Sequence, residues 1–184
     1  MKWFAKFSRR HLLTGCIIVV IELILYRQYA SLGAEFHFWL HGLFGATIGT
    51  VALTVWRLVR PKPSNLSPWE AGILGHVFSA MPDILFIAFG VLHVYWMDVF
   101  ALHISIHFIP APVLTMLILC IVSLVSYGLV ADGYRRSAIA CLGLVVVVLS
   151  LSLTFRQPVP SNLEQLQQHP SHYAWICPLA LDSR

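Results

Sequence analysis

Charged residues are scarce in this sequence. Only 11% of the 184 residues are Asp, Glu, Lys or Arg, whereas a soluble domain carries roughly 25%. Hydrophobic residues make up 58% of the chain. These proportions exclude an ordinary soluble domain and indicate an integral membrane protein, whose principal partner is the lipid bilayer.

Cysteine is also sparse, and its spacing indicates neither a disulfide framework nor a Cys-x-x-Cys metal site. Cys16, Cys120 and Cys141 lie inside apolar runs, where a free cysteine usually packs as a small hydrophobic residue. The formal net charge of +4 lies mostly on short segments between apolar runs, and no basic patch is present. We therefore expect no nucleic-acid partner.

Long apolar runs fill most of the chain. A helix needs roughly 20 mainly apolar residues to cross the hydrocarbon core of a bilayer. Five runs meet this requirement, at residues 11–30, 36–56, 69–96, 112–131 and 137–155. The predicted fold is all-α, a polytopic membrane helix bundle over residues 1–157, followed by an extracytoplasmic tail over 158–184.

Lysine and arginine are concentrated in alternate segments between these runs. The segments before the first run, after the second, and between the fourth and fifth contain Lys2, Lys6, Arg9, Arg10, Arg57, Arg60, Lys62, Arg135 and Arg136. Because short cytoplasmic loops are enriched in Lys and Arg, we predict a cytoplasmic N-terminus and an external C-terminus. The pattern is typical of a multi-pass protein of a cell membrane, and we predict the bacterial inner membrane.

Small residues and one proline predict how the second and third runs pack. Gly42, Gly45, Ala46 and Gly49 would allow a neighbouring helix to approach closely. Pro82 in the third run removes a backbone donor and frees a carbonyl in the preceding turn. Polar neighbours must satisfy such a local opening.

Histidines occur in pairs at the ends of the apolar runs. His37 and His41 lie four residues apart in the second run, and His103 and His107 lie four apart between the third and fourth. Residues with this spacing share one face of a helix, so each pair could offer two imidazoles to one ion or cofactor. An interfacial anchoring role for these histidines is the alternative interpretation.

Asp83 is the most unusual residue of the apolar runs. A carboxylate at membrane depth costs about 3 kcal/mol, so we predict that Asp83 is shielded from lipid and has a polar partner. His76, seven residues earlier, lies on nearly the same helix face. If residues 98–108 form a re-entrant or oblique helix, His103 and His107 could converge with His41.

These residues predict a metal site near the outer face of the membrane. The expected ligands of a divalent ion are His41, Asp83, His103 and His107, with His37 and His76 as further candidates. Zinc is the candidate ion because it prefers such donors. Asp98 or Glu35 would be the general base. Such an ion lowers the pKa of bound water toward ~7 and so supports hydrolysis at neutral pH.

The middle of the chain resembles a family of small inner-membrane proteins, the membrane-bound metal-dependent hydrolases. The resemblance covers roughly residues 37–110. It rests on a histidine with small residues, an apolar run closing in Pro-Asp, and the "HISIH" cluster. Where the family often has Asp and His after Pro-Asp, and Thr-His-Ser later, this chain has Ile84, Leu85, Phe86, Ile106, His107 and Phe108. The resemblance implies a divalent metal held by His and Asp, and a hydrolytic reaction.

Three classes of function are compatible with the sequence. A hydrolase would act on a membrane-embedded, lipid-like ester or phosphoester. A carrier would use the same histidines to bind haem, protons or metal ions, with His41 and His107 as the first pair to consider for haem. A small accessory membrane protein would have no chemistry of its own.

Overall fold

The computed structural model describes residues 9–60, 65–89 and 95–157. The regular elements of these residues are all helical: α1 (Arg9–Ser31), α2 (Glu35–Val59), α3 (Pro68–Ser79), α4 (Met81–Phe89), α5 (Pro112–Ala131) and α6 (Arg135–Thr154). Two short 3-10 turns, Tyr95–Val99 and Ser105–Phe108, lie between α4 and α5. The tail predicted over 158–184 lies outside the described residues.

Four of the helices are long and apolar enough to cross a membrane. They are α1, α2, α5 and α6, with 23, 25, 20 and 20 residues. At about 1.5 Å per residue, even the shortest of them reaches ~30 Å, the thickness of the hydrocarbon core. The predicted all-α membrane protein is therefore confirmed, while the count of five spans stays a prediction.

The third apolar run forms two helices, so the prediction of a single helix over 69–96 is wrong. Ser67 caps α3 in a capping box with Glu70, and the helix ends at Ser79. Helix α4 then begins at Met81, with Pro82 in its first turn. Proline has no N–H, and its ring clashes with the preceding turn, so the chain bends at Ala80.

Glycines bring α2 and α3 into close contact. A Cβ atom added to Gly45 would lie 2.4 Å from the carbonyl oxygen of Gly75, and one added to Gly49 would lie 1.9 Å from that of Ala71. Each step of four residues along α2 is matched by a step of four back along α3. The next step brings His41 beside Ser79, whose Oγ lies 3.2 Å from Nδ1 of the imidazole.

The cationic segments meet at one end of the bundle. The guanidinium of Arg135, at the start of α6, donates to the carbonyl oxygen of Leu58 near the end of α2. Arg10, at the start of α1, lies 3.5 Å from the carboxylate of Glu70 at the start of α3. Segments predicted to share one side of the membrane therefore lie together, and the cytoplasmic assignment of that side stays a prediction.

The segment between α4 and α5 lies at the opposite end, where it packs into the bundle. Its described part contains no regular α-helix, because Ala101 and Leu102 have left-handed φ values of 58° and 52°. The re-entrant or oblique helix considered for 98–108 is therefore not formed. The segment is nevertheless buried: Ile106 packs in a core cluster with Leu40 and Met116. Irregular backbone is tolerated inside a membrane protein when protein shields it from lipid.

Candidate metal centre

Four imidazoles and one carboxylate converge at the end of the bundle opposite the cationic segments. The five residues are His37 and His41 from α2, Asp83 from α4, and His103 and His107 from the irregular segment. All five are buried, with exposures from 0% for His41 to 7% for Asp83. They form two groups that share His41, namely His37–His41–His107 and His41–Asp83–His103. Within each group the ligand atoms lie within 4.8 Å of one another.

Three separations between donor atoms in these groups are close to those expected around a metal ion. Nε2 of His41 lies 3.2 Å from Nε2 of His107 and 3.8 Å from Oδ2 of Asp83. Nε2 of His103 lies 3.4 Å from Oδ1 of Asp83. In a tetrahedral zinc site, bonds of about 2.0 to 2.1 Å place neighbouring ligands roughly 3.3 Å apart. The measured separations therefore require little movement to accept such an ion.

Ser79 orients two of the imidazoles. Nδ1 of His103 lies 3.0 Å from the carbonyl oxygen of Ser79, which can only accept, so Nδ1 carries the hydrogen of the neutral ring. Its Nε2 is then an acceptor, and this is the nitrogen that faces Asp83. The Ser79 hydroxyl, which can donate or accept, lies 3.2 Å from Nδ1 of His41. Outer hydrogen bonds of this kind fix the ring orientation of metal-bound histidines.

The break between α3 and α4 explains why a backbone carbonyl is available. The last four carbonyls of a helix have no intrahelical partner, and Ser79 is the last residue of α3. A helix that continued through Pro82 would direct this carbonyl along its own axis. The proline thus contributes to the centre through backbone geometry, because it leaves the Ser79 carbonyl available one turn before Asp83.

Asp83 is shielded and partnered, as predicted. The hydroxyl of Tyr29 donates to Oδ2 of Asp83 across 2.9 Å, and Tyr29 is itself buried. This contact connects α1 to α4. A hydrogen-bond donor on one carboxylate oxygen limits the rotation of the group and helps to orient it toward the imidazoles.

The imidazole rings of the centre pack closely against one another. The rings of His41 and His103 stack in near-parallel planes with their centroids 4.1 Å apart, and the centroids of His37 and His107 lie 4.6 Å apart. Neutral imidazole is the form that binds metals.

Asp98 and Glu35, the predicted general bases, do not join this cluster. The carboxylate of Asp98 accepts hydrogen bonds from the N–H groups of Ile104 and Ser105, at 2.7 and 2.9 Å, and from the Ser105 hydroxyl at 2.6 Å. Asp98 therefore organises the irregular segment and holds no imidazole, contrary to the expectation. Glu35 is exposed in the first turn of α2 and belongs to neither ligand group.

His76 belongs to a different site. Its Nδ1 lies 3.0 Å from both carboxylate oxygens of Glu22, on α1. Neither of the two groups of candidate ligands contains it. The predicted assignment of His76 as a metal ligand is therefore not supported by the geometry.

Three residues of the polar interior were missed by the sequence reasoning. Glu22 is an acidic residue within the first apolar run, and the cost of such a residue could have identified it as Asp83 was identified. Tyr29 resembles an interfacial anchor in sequence, and Ser79 resembles a small helix-packing residue. Only the three-dimensional arrangement shows that these two contact Asp83, His41 and His103.

Comparison of the chain with protein-family models, with curated proteins and with solved structures finds no match.

Proposed function

We propose that this protein is an integral-membrane, metal-dependent hydrolase that acts on a membrane-embedded ester or phosphoester, in a bacterial inner membrane. The observation that supports the proposal most strongly is that the Nε2 atoms of His41 and His103 lie 3.8 and 3.4 Å from the carboxylate of Asp83, with Nε2 of His107 3.2 Å from that of His41. Three imidazoles and one carboxylate are a donor set typical of zinc.

The residues around the ligands fit a metal site better than a structural polar cluster. An imidazole that is buried only for packing needs a single hydrogen-bond partner. Here Nδ1 of His41 and of His103 contacts Ser79, while Nε2 of each ring faces Asp83. Tyr29 holds the carboxylate from outside. This two-layer arrangement is what orients ligands toward an ion.

A divalent ion at this position would activate water and polarise the scissile carbonyl or phosphoryl oxygen. The histidines and Asp83 would hold this ion, while Ser79 and Tyr29 fix the orientation of these side chains. The apolar helices around the centre exclude bulk water, which strengthens electrostatic interactions with a bound substrate. The proposal assigns no residue as general base, because Asp98 is engaged in its own loop.

A metal-ion carrier is the second candidate, and one observation favours it. The two ligand groups overlap in His41, so an ion could pass from His103 and Asp83 to His37 and His107 while His41 remains bound. Ionisable residues inside membrane bundles commonly mark ion pathways. Haem binding between His41 and His107 is disfavoured, since their Nε2 atoms lie 3.2 Å apart and leave no flat cavity for a porphyrin.

Metal analysis of the purified protein followed by activity assays tests these proposals. We expect about one zinc-like ion per chain, as a single four-donor centre would hold. We also expect hydrolysis of a fluorogenic acyl ester or phosphodiester lipid in mixed micelles, abolished by a chelator and restored by zinc. The Asp83→Asn variant should lose both metal and activity. Metal-free parent protein would refute the metal centre itself.

The carrier proposal predicts a different result. Protein reconstituted into vesicles would then move zinc across the bilayer, and a dye trapped inside would report its arrival. Hydrolysis would be absent even with metal bound. Metal binding together with transport and without hydrolysis would overturn the hydrolase proposal and leave the centre intact.

A further inference from the structure

A large apolar cavity lies beside the metal centre, between α1, α2, α3 and α5. Its volume is about 1190 Å³, and it is partly open at the surface of the bundle. Along α5 its lining extends from Cys120 to Asp132, a distance of about 18 Å at 1.5 Å per residue. One leaflet of the hydrocarbon core is about 15 Å thick, so the cavity has the length of a lipid chain.

One pair of polar side chains in contact with each other lies on this mainly apolar lining. Glu22 and His76 both line the cavity, and Nδ1 of the imidazole lies 3.0 Å from each carboxylate oxygen. The side chain of His76 is 3% exposed. Its Nε2 has no hydrogen-bond partner among the residues that the structure describes. A buried nitrogen without a partner costs free energy, which a ligand could recover.

The Glu22–His76 pair determines which functional group of a bound molecule can fit. With Nδ1–H donated to Glu22, the Nε2 of the neutral ring can only accept a hydrogen bond. The ligand must therefore provide a donor. The neighbouring carboxylate repels anionic groups such as phosphates and fatty carboxylates, and both of its oxygens already contact the imidazole. A neutral hydroxyl group meets these requirements.

A space beside the imidazole could receive such a group. Gly42 of α2 faces the ring, and a Cβ atom at this position would lie 3.4 to 3.6 Å from three ring atoms of His76. Glycine leaves this volume empty, and Gly42 also lines the cavity. The aromatic residues Trp39 and Trp69 lie on the same lining and provide an optical signal for occupancy.

We propose that this cavity binds one molecule of a hydroxyl-bearing lipid, with its hydrocarbon chain along the groove and its hydroxyl donating to Nε2 of His76. Five residues form the metal centre, His37, His41, Asp83, His103 and His107, and none of them is among the lining residues. The lipid site is therefore distinct from the metal centre, and its occupancy does not depend on metal.

Quenching of tryptophan fluorescence tests the proposal. The full chain is placed in phosphatidylcholine nanodiscs with a chelator present, and dibrominated octadecanol is added. Bromine quenches Trp39 and Trp69 when the chain enters the cavity. The control probe is the methyl ether of the same alcohol, which cannot donate a hydrogen bond. We expect saturable quenching by both probes, with roughly fivefold to tenfold tighter binding of the alcohol, as one hydrogen bond provides.

Two double variants and one control separate binding of the hydrocarbon chain from binding of the hydroxyl group. The double variant Glu22→Leu/His76→Phe replaces both polar partners by apolar groups of similar size, so we expect the alcohol and the ether to bind equally. A purely structural Glu22–His76 pair would leave the ratio of the two affinities unchanged when it is replaced, which would overturn the proposed contact.

The variant Leu124→Phe/Val125→Phe fills the groove and should weaken the binding of both probes more than tenfold. Its control, Leu117→Phe/Ile118→Phe, changes residues outside the cavity lining with similar exposure, 41% and 45% against 45% and 50%. Quenching that increases without saturation and is equal in both phenylalanine pairs would show partition into the bilayer only. Equal affinity of the parent protein for alcohol and ether would likewise refute the hydroxyl assignment.

Discussion

The imidazole of His103 donates its Nδ1–H to the carbonyl oxygen of Ser79, 3.0 Å away, at the point where α3 ends. The same serine holds His41 through its hydroxyl group. One residue at a helix break thus sets the orientation of two candidate ligands that are 62 positions apart in the sequence.

Replacing Ser79 with alanine should weaken metal binding while it preserves the fold. The substitution keeps the carbonyl that orients His103 and removes the hydroxyl that contacts His41. Loss of an outer hydrogen bond of this kind typically costs roughly 10- to 100-fold in metal affinity. Competition with a chromophoric chelator measures the change. Ser152→Ala is the control, because this hydroxyl bonds to its own helix at Val148, and an equal loss there would contradict the prediction.

Replacing His107 with alanine should remove most of the bound metal with little loss of folded protein. Its Nε2 lies 3.2 Å from that of His41, where it completes the donor set, and a pocket ligand stabilises the ion more than the fold. Elemental analysis and gel filtration in detergent measure metal content and folding. His11→Ala, at the opposite end of α1, should retain the metal. A His107→Ala protein with full metal content would exclude this residue as a ligand.

Replacing Gly49 with alanine should destabilise the protein by about 1 to 3 kcal/mol, the usual cost of overpacking. The new Cβ atom would lie 1.9 Å from the carbonyl oxygen of Ala71, so α2 and α3 must separate. Thermal unfolding in detergent measures the effect. Gly143→Ala on α6 meets no atom within 4 Å and should stabilise its helix by up to about 1 kcal/mol. Similar effects of the two substitutions would disprove the close contact.

The membrane orientation can be tested by cysteine accessibility in a variant without native cysteines. Cysteine at Ser31, the last residue of α1, should react with an impermeant thiol reagent from outside intact cells. Cysteine at Asp132, in the turn between α5 and α6, should react only after the membrane is opened, because cationic segments face the cytoplasm. The reverse labelling pattern would show that the protein has the opposite orientation.

The sequence predicted the candidate ligands better than it predicted the backbone that carries them. Asp83 was identifiable because a lone carboxylate in an apolar run is costly, and His41 because it lies four residues after His37 on the same helix face. Both lie in the centre. The hydrophobic run over 69–96 indicated one helix, however, because composition alone does not show whether Pro82 bends a helix or ends it.

The partners of these ligands could not be predicted from the sequence. His103 and His107 approach His41 through an irregular segment with left-handed residues at Ala101 and Leu102, which no helical periodicity describes. Asp98 was expected to be a general base of the centre, yet it accepts hydrogen bonds from backbone N–H groups of its own loop. Carboxylates commonly adopt such local hydrogen bonds, and sequence spacing does not distinguish them from long-range contacts.

Because contacts between α2 and α3 repeat every four residues, the centre should be disrupted by an insertion within α2 and should tolerate one in the connection between the helices. A residue inserted between His41 and Gly45 would rotate the imidazole by about 100° around the helix axis, away from Ser79, while the glycine contacts stayed in place. A residue inserted at 61–64, in the connection between the two helices, would leave their register unchanged. Length variation in homologous chains that keep this centre should therefore be confined to the connection.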